Sequence, residues 1–196
     1  PHRYLLPNVT AGTHTLCICV DNTDYPTRGG HLTSPDTQSN WNGITGEISL
    51  TVAPALLTDI RVLWQPEKKS LRIRSHVLGH APESVAVSLP GQAVQFLPAA
   101  QNTLDGEYKL SGSEATWDEF HPVCHTLHLE LSGHTYAVPF GLRVFRGNGR
   151  KLLCNGREVF LRGKHDACVF PLTGYAPMDV ESWRRVFQIA KSYGIN

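Results

Sequence analysis

The sequence has little of what marks a metal protein, a membrane protein or a nucleic-acid binder. Its 196 residues include five cysteines, Cys17, Cys19, Cys124, Cys154 and Cys168, an odd number with no Cys-x-x-Cys pair. That pattern signals neither a disulfide framework nor a zinc site. Cys17 and Cys19, in "HTLCICVDN", are expected to be small buried hydrophobes on one strand face. The ten histidines are scattered, with no His-Glu-x-x-His and no facing carboxylate cluster, so no metal is expected. No apolar run approaches the roughly 20 residues a membrane span needs. Net charge is +1 with both signs interspersed, which implies no nucleic-acid partner and no anionic membrane surface. The chain starts Pro-His-Arg-Tyr, without Met or a charged-then-apolar leader, so its natural N-terminus is expected upstream. Cytoplasmic, periplasmic and secreted locations all stay open.

Helical periodicity is scarce as well. Up to about residue 150 the pattern is that of a mainly β protein. "THTLCICVDN" and "GEISLTV" alternate as strands do. "LTDIRVLWQPEKKSLRIRSHVLG" reads as two strands around a turn at Pro66–Lys69. "SVAVSLPGQAV" carries a Pro-Gly turn, and "HTLHLELSGHTYAVPFGLRVF" is a hairpin about Ser132-Gly133. Leu56 to Phe145 holds about seven strand candidates, the size of an immunoglobulin-like β-sandwich, without the Cys–Trp–Cys signature of antibody domains. Pro54 suits a boundary because proline stops ladder pairing. The first 53 residues hold too few strands for a core of their own. Trp64, Trp117 and Trp183 read as core.

The tail changes period. Asp179 suits an N-cap, and Val180, Trp183, Val186, Phe187, Ala190 and Tyr193 recur at helical steps, with Gly194 placed to end the helix. Val159-Phe160-Leu161 is apolar without alternation, as in a strand buried on both faces. A buried strand, a loop and an amphipathic helix make a βα unit that needs a further layer to cover its helix.

Four motifs in order then carry a family likeness: Phe140-Gly141-Leu142-Arg143, Asn155-Gly156, Leu161-Arg162-Gly163 and Lys191-Ser192-Tyr193-Gly194-Ile195-Asn196. Together with "TWDEFHP", "NWNGITGEISL" and "GTHTLCICVDN", the chain resembles glycoside hydrolase family 2, which includes β-galactosidases, β-glucuronidases and β-mannosidases. The resemblance implies three pieces. Residues 1–53 would be the C-terminal part of a jelly-roll sugar-binding domain, and 54–146 an immunoglobulin-like β-sandwich. Residues 147–196 would be the start of a TIM-barrel catalytic domain, its first βα unit. The parent would be a retaining exo-β-glycosidase, β-galactosidase-like, acting on a β-linked oligosaccharide or glycoside without a cofactor, with a homo-oligomer possible.

The retaining scheme needs two carboxyl groups about 5 Å apart, one acid and one nucleophile. The family's acid is a Glu that usually follows Asn. None of the nine Glu here follows Asn. No catalytic residue is therefore expected in this chain, which is expected to be inactive alone. Substrate contacts are expected from His165 and Asp166, at the end of the first barrel strand, where such barrels gather their sites. Relatives read Gly-Val-Asn-x-His-Glu there, and this chain reads Gly-Lys-His-Asp-Ala. A gap-free alignment sets Ala167 at the family's His, whereas a two-residue deletion matches His165 and Asp166. Asp36 and Trp41, in the loop "TSPDTQSNWNGITG", are a second pair of candidate sugar contacts. The competing reading is a non-catalytic carbohydrate-binding or structural β-sandwich module.

Overall fold

The computed structural model describes residues 3–6, 9–21, 43–44, 46–80, 82–166 and 170–196. The chain divides into two compact units, Pro1–Ser49 with Cys168–Ala176, and Leu50–Ala167 with Pro177–Asn196.

In the first unit the described residues form neither strand nor helix. The strands expected in "THTLCICVDN" and "GEISLTV" do not form among them. Leu16, Ile18, Val20 and Ile48 are exposed, as are Leu50 and Val52 at the start of the second unit, and so are Cys17 and Cys19, against the burial expected of both thiols. Alternation encodes which face a strand would bury. It does not supply the neighbouring backbone that satisfies the strand's N–H and C=O groups, and an unpaired strand is not stable in water.

Among its described residues the second unit is built on ten strands and one helix. Seven strands, β1 (Ala55–Gln65), β2 (Ser70–Gly79), β3 (Ser84–Ser88), β4 (Gln95–Ala100), β5 (Thr103–Lys109), β6 (His125–Leu131) and β7 (His134–Phe140), form one antiparallel sheet in the order β1-β2-β5-β4-β3-β6-β7. The sheet nearly closes on itself, as in a β-sandwich. Its outermost strands are joined where the Leu57 amide donates to the Tyr136 hydroxyl at 3.0 Å.

Local chemistry fixes the corners. Between β1 and β2 a 3₁₀ turn at Pro66–Lys68 ends on Lys69 in the left-handed region. After β3, Pro90-Gly91 makes a type II turn: Gly91 has φ 76°, and the Gln92 amide donates to Leu89 O at 3.0 Å. The β6–β7 hairpin turns on Ser132 (φ 50°) and Gly133 (φ 78°), the positive pair that a type I′ turn demands.

Strand β4 belongs to both halves of the sheet. Gln95–Pro98 pair with β3, and only Ala99 and Ala100 pair with β5. At the far end of β4, past the point where it leaves β5, the Gln95 carboxamide stands in for the ladder. Its Nε2 donates to Lys109 O and its Oε1 accepts from Lys109 N, both at 2.9 Å. A side-chain amide thus reproduces the two bonds that a strand neighbour would make.

The core draws on both halves. Leu71, Ile73, Leu104 and Tyr108 come from β2 and β5, and Val85, Val87, Leu127 and Leu129 from β3 and β6, all fully buried. The buried phenol of Tyr108 accepts from the Leu89 amide at 3.3 Å and reaches Gln92 Oε1 at 3.4 Å. Gln92 donates in turn to Glu114 Oε1 at 2.5 Å. Glu114 also accepts from the Ser111 amide and hydroxyl and from the Gly112 amide, each at 2.8 Å. Burial opposes ionisation of this carboxyl, but the bonds from Ser111 and Gln92 outweigh it and bring its pKa to about 2.

Beyond β7, strands β8 (Phe145–Asn148), β9 (Lys151–Cys154) and β10 (Arg157–Val159) make a separate three-stranded sheet, order β10-β9-β8. The strand expected to be buried on both faces is instead an edge strand that stops at Val159. Phe160 and Leu161 are exposed, and among the described residues β10 pairs only with β9. Helix α1 (Val180–Ser192) forms as the periodicity indicates. Asp179 is its N-cap, with Oδ1 accepting from the Ser182 amide at 2.8 Å. Its apolar stripe is not buried. Trp183 and Val186 are half-covered, while Val180, Phe187 and Tyr193 are exposed. Of the other tryptophans expected in the core, Trp64 packs against its rim and Trp117 is half-buried.

Leu129→Ala is expected to lower stability by about 2–5 kcal/mol, the range for a leucine cavity in a filled core, as read by urea denaturation. The acid limb of stability should depend on Glu114. Its folded pKa lies below the ordinary value of 4.5, so its contribution is complete above pH 4.5 and is lost as pH falls toward about 2. The urea midpoints of wild type and Glu114→Gln are therefore expected to differ most near neutral pH and to converge across that window.

Candidate functional site

The expected site lies on the segment that leaves β10, so what anchors that segment comes first. The chain reaches it through Asn155, in the β9–β10 turn. Asn155 has φ 49° and Gly156 φ 82°, a type I′ pair that asparagine tolerates better than most side chains. Its carboxamide is used in full. Oδ1 accepts from the Val144 amide at 2.8 Å, and Nδ2 donates to Trp117 O at 3.0 Å and Leu142 O at 3.1 Å. The Asn155 amide completes the set by donating to Val144 O at 3.0 Å. Three chain segments, before β6, after β7 and after β9, are tied at one side chain. Arg143 covers the same spot, its guanidinium 4.6 Å from the centroid of the Trp117 ring. Next to it, burial pushes the Cys154 thiol above its ordinary pKa, which suits packing and not nucleophilic attack.

The segment after β10 is held by the far end of the chain. Asn196 donates its amide to Arg162 O at 3.2 Å, and its Oδ1 accepts from the Arg162 amide at 2.7 Å. Its Nδ2 donates to Phe160 O at 3.1 Å and to Glu119 Oε2 at 2.5 Å. After helix α1 the chain therefore returns beside 160–162, the segment it left before the helix.

His165 and Asp166 follow immediately. His165 is exposed, and no described residue hydrogen-bonds or ion-pairs with its ring. Asp166 is paired with Lys164, Oδ2 to Nζ 2.6 Å. The arrangement offers a carboxylate that can accept from hydroxyl groups, with a cation beside it and an imidazole next in chain. Asp36 and Trp41 lie outside the described residues. Sequence reasoning passed over Asn155 and Asn196 as site-positioning residues, although the Asn-Gly pair and the terminal Gly-x-Asn signalled them.

The described glutamates are spread over separate partners. Glu107 pairs with Lys68 at 2.5 Å, Glu158 with Lys151 at 2.6 Å, Glu181 with Arg184, and Glu119 with Asn196. Among the described residues no group of three or more His, Cys, Asp or Glu is placed to hold a metal ion.

A β-glucuronidase from Parabacteroides merdae aligns with 73% of this chain at 19% identity and a TM-score of 0.52. A Ruminococcus gnavus β-glucuronidase bound to D-glucuronic acid aligns with 74% at 19% identity and a TM-score of 0.57. The same enzyme in complex with D-glucaro-d-lactam gives 74%, 19% and 0.56. The chain shares its fold with part of these enzymes. It spans 20% of the first and 26% of the second. No family model and no curated protein matches the sequence.

Asn155→Ala is expected to cost about 2–3 kcal/mol, because it leaves the Val144 amide and the Trp117 carbonyl without their partner and removes one of the two donors to Leu142 O. Asn155→Gly, which accepts the turn's positive φ, should recover only a minor part. Equal stability of the glycine variant and wild type, by thermal unfolding, would show that the turn and not the carboxamide carries the effect.

Proposed function

We propose that the chain is a segment of a retaining exo-β-glycosidase of glycoside hydrolase family 2. Residues 54–146 serve as an immunoglobulin-like sandwich, 1–53 belong to a jelly-roll domain, and 147–196 open a TIM barrel. The observation that carries the reading is the likeness in fold to β-glucuronidases of which the chain spans about a fifth to a quarter. Two features support it. The sheet order sets β1, β2 and β5 on one half and β3, β6 and β7 on the other, with β4 shared, as an immunoglobulin-like arrangement requires. The return of Asn196 to Arg162 after helix α1 has the sense of a βα unit about to add a neighbouring strand.

The substrate class is a β-linked glycoside. The neighbours' own name and ligand, D-glucuronic acid, favour a β-glucuronide over the β-galactoside that the motifs alone suggested. The acid and the nucleophile are supplied by residues outside this chain. The segment contributes substrate contact instead. Asp166, already oriented by Lys164, accepts hydrogen bonds from sugar hydroxyls, with His165 next to it in the chain, and Asp36 and Trp41 are proposed as further sugar contacts.

The reading frame that encodes this chain is expected to continue into a second barrel strand and, later, an Asn-Glu pair. The extended polypeptide should hydrolyse nitrophenyl β-glycosides, and the 196-residue chain should not. Hydrolysis that tracks the purified 196-residue chain, or a frame that closes at once, would sink the proposal. In the extended enzyme, Asp166→Ala should lower kcat/KM by about ten- to a hundredfold, as loss of a charged hydrogen bond does.

A further inference from the structure

The outer face of the sheet half β4-β3-β6-β7 carries a trough that the barrel and its loops do not account for. Its geometry follows from register. Ala86 on β3 lies opposite Phe96 on β4 and opposite Glu130 on β6. Direct cross-strand partners share a face. Phe96, Ala86 and Glu130 therefore form one row, and Thr135, opposite Glu130 on β7, extends it. Strands lie about 4.8 Å apart, so the phenyl ring and the carboxylate stand about 10 Å from each other with only a methyl group between them. Ser84 and His134 line the same hollow, whose volume is about 400 Å³.

Both walls are uncommitted. Phe96 is 69% exposed, on the part of β4 that has left β5. The Glu130 side chain has no hydrogen bond or ion pair with any described residue. An exposed ring facing, across a small-residue floor, a carboxylate that pairs with no described residue, with Thr135 at one end of the row and Ser84 beside it, is neither a packed surface nor a salt-bridge ladder. The opposite sheet half shows the contrast, since there Arg72 and Arg74 both engage Asp105.

We propose that this trough is a secondary carbohydrate-binding site for a neutral oligosaccharide, distinct from the Asp166 loop. The choice of sugar rests on the glycosidase reading above. The ring offers a face to the C–H side of a pyranose. The Glu130 carboxylate accepts from two neighbouring hydroxyls, and Thr135 and Ser84 give or accept one each. The charge decides the ligand, because a uronic acid would set a second carboxylate against Glu130, whereas a neutral sugar would not. The site would hold the parent enzyme on a glycan without acting on it.

The 196-residue chain, labelled with ¹⁵N, is titrated with neutral β-linked gluco-, galacto- and xylo-oligosaccharides, and separately with glucuronic acid. The expected result is saturable shifts at Ala86, Phe96, Glu130 and Thr135 with a neutral sugar and none there with the uronic acid. Phe96→Ala and Glu130→Gln should each weaken binding about tenfold, or 1.4 kcal/mol. Both residues are exposed, so the thermal midpoint is expected to stay put. No neutral sugar bound at millimolar concentration, binding unchanged in both variants, or preference for the uronic acid or a cationic peptide would overturn the proposal. The two proposals fail separately. An extended enzyme that hydrolyses glycosides while the trough stays empty removes only this inference, and sugar in the trough of a protein without hydrolysis removes only the other.

Discussion

The Asn155 carboxamide is the constraint on which the rest of the second unit depends. A seven-stranded sheet and a three-stranded sheet follow one another in the chain, and each could adopt many orientations about the short link between them. Asn155 removes that freedom by using one oxygen and one NH₂ group on Val144, Trp117 and Leu142. Since all three partners are backbone groups, the tie does not depend on side-chain identity at those positions. It depends on a residue that accepts a left-handed backbone and also carries both a donor and an acceptor. Aspartate has no donor, and glycine has neither.

Much of the seven-stranded sheet was legible in the sequence. The Ser132-Gly133 and Pro90-Gly91 turns follow from which residues accept positive φ, and the fully buried Leu127 and Leu129 follow from strict alternation. Helix α1 was equally plain, since its N-cap, period and terminal glycine agree. The misreadings share one cause. Leu16, Ile18 and Val20 alternate as a strand should, and Phe160 and Leu161 are as apolar as a buried strand should be. Pattern records the environment a segment is suited to, and only a neighbour creates it. The bonds of Gln95 to Lys109 and of Gln92 to Glu114 were illegible for another reason, and although the Asn155-Gly156 pair signalled its turn, it did not signal the backbone groups that the Asn155 carboxamide holds. Each is a bond between polar atoms far apart in the chain, and sequence spacing carries no sign of it.

The candidate site was legible to a smaller extent. The position of His165 and Asp166 came from a resemblance, and the structure adds the Lys164 pair and the Asn196 tie that orient the segment. The Phe96–Glu130 trough was out of reach, because residues 34 positions apart meet only through the register of β3 with two different partners.

The split allegiance of β4 has a consequence for how the protein behaves in company. A sheet grows into fibrils by offering a free, flat row of backbone donors and acceptors to another molecule. Here the strand most at risk of becoming such a row bends from one half of the sheet to the other. At the far end of β4, past that departure, Gln95 occupies the Lys109 backbone groups that an incoming strand would seek. One glutamine thus keeps those two groups paired within the chain, while leaving the Phe96 side of the strand open to solvent.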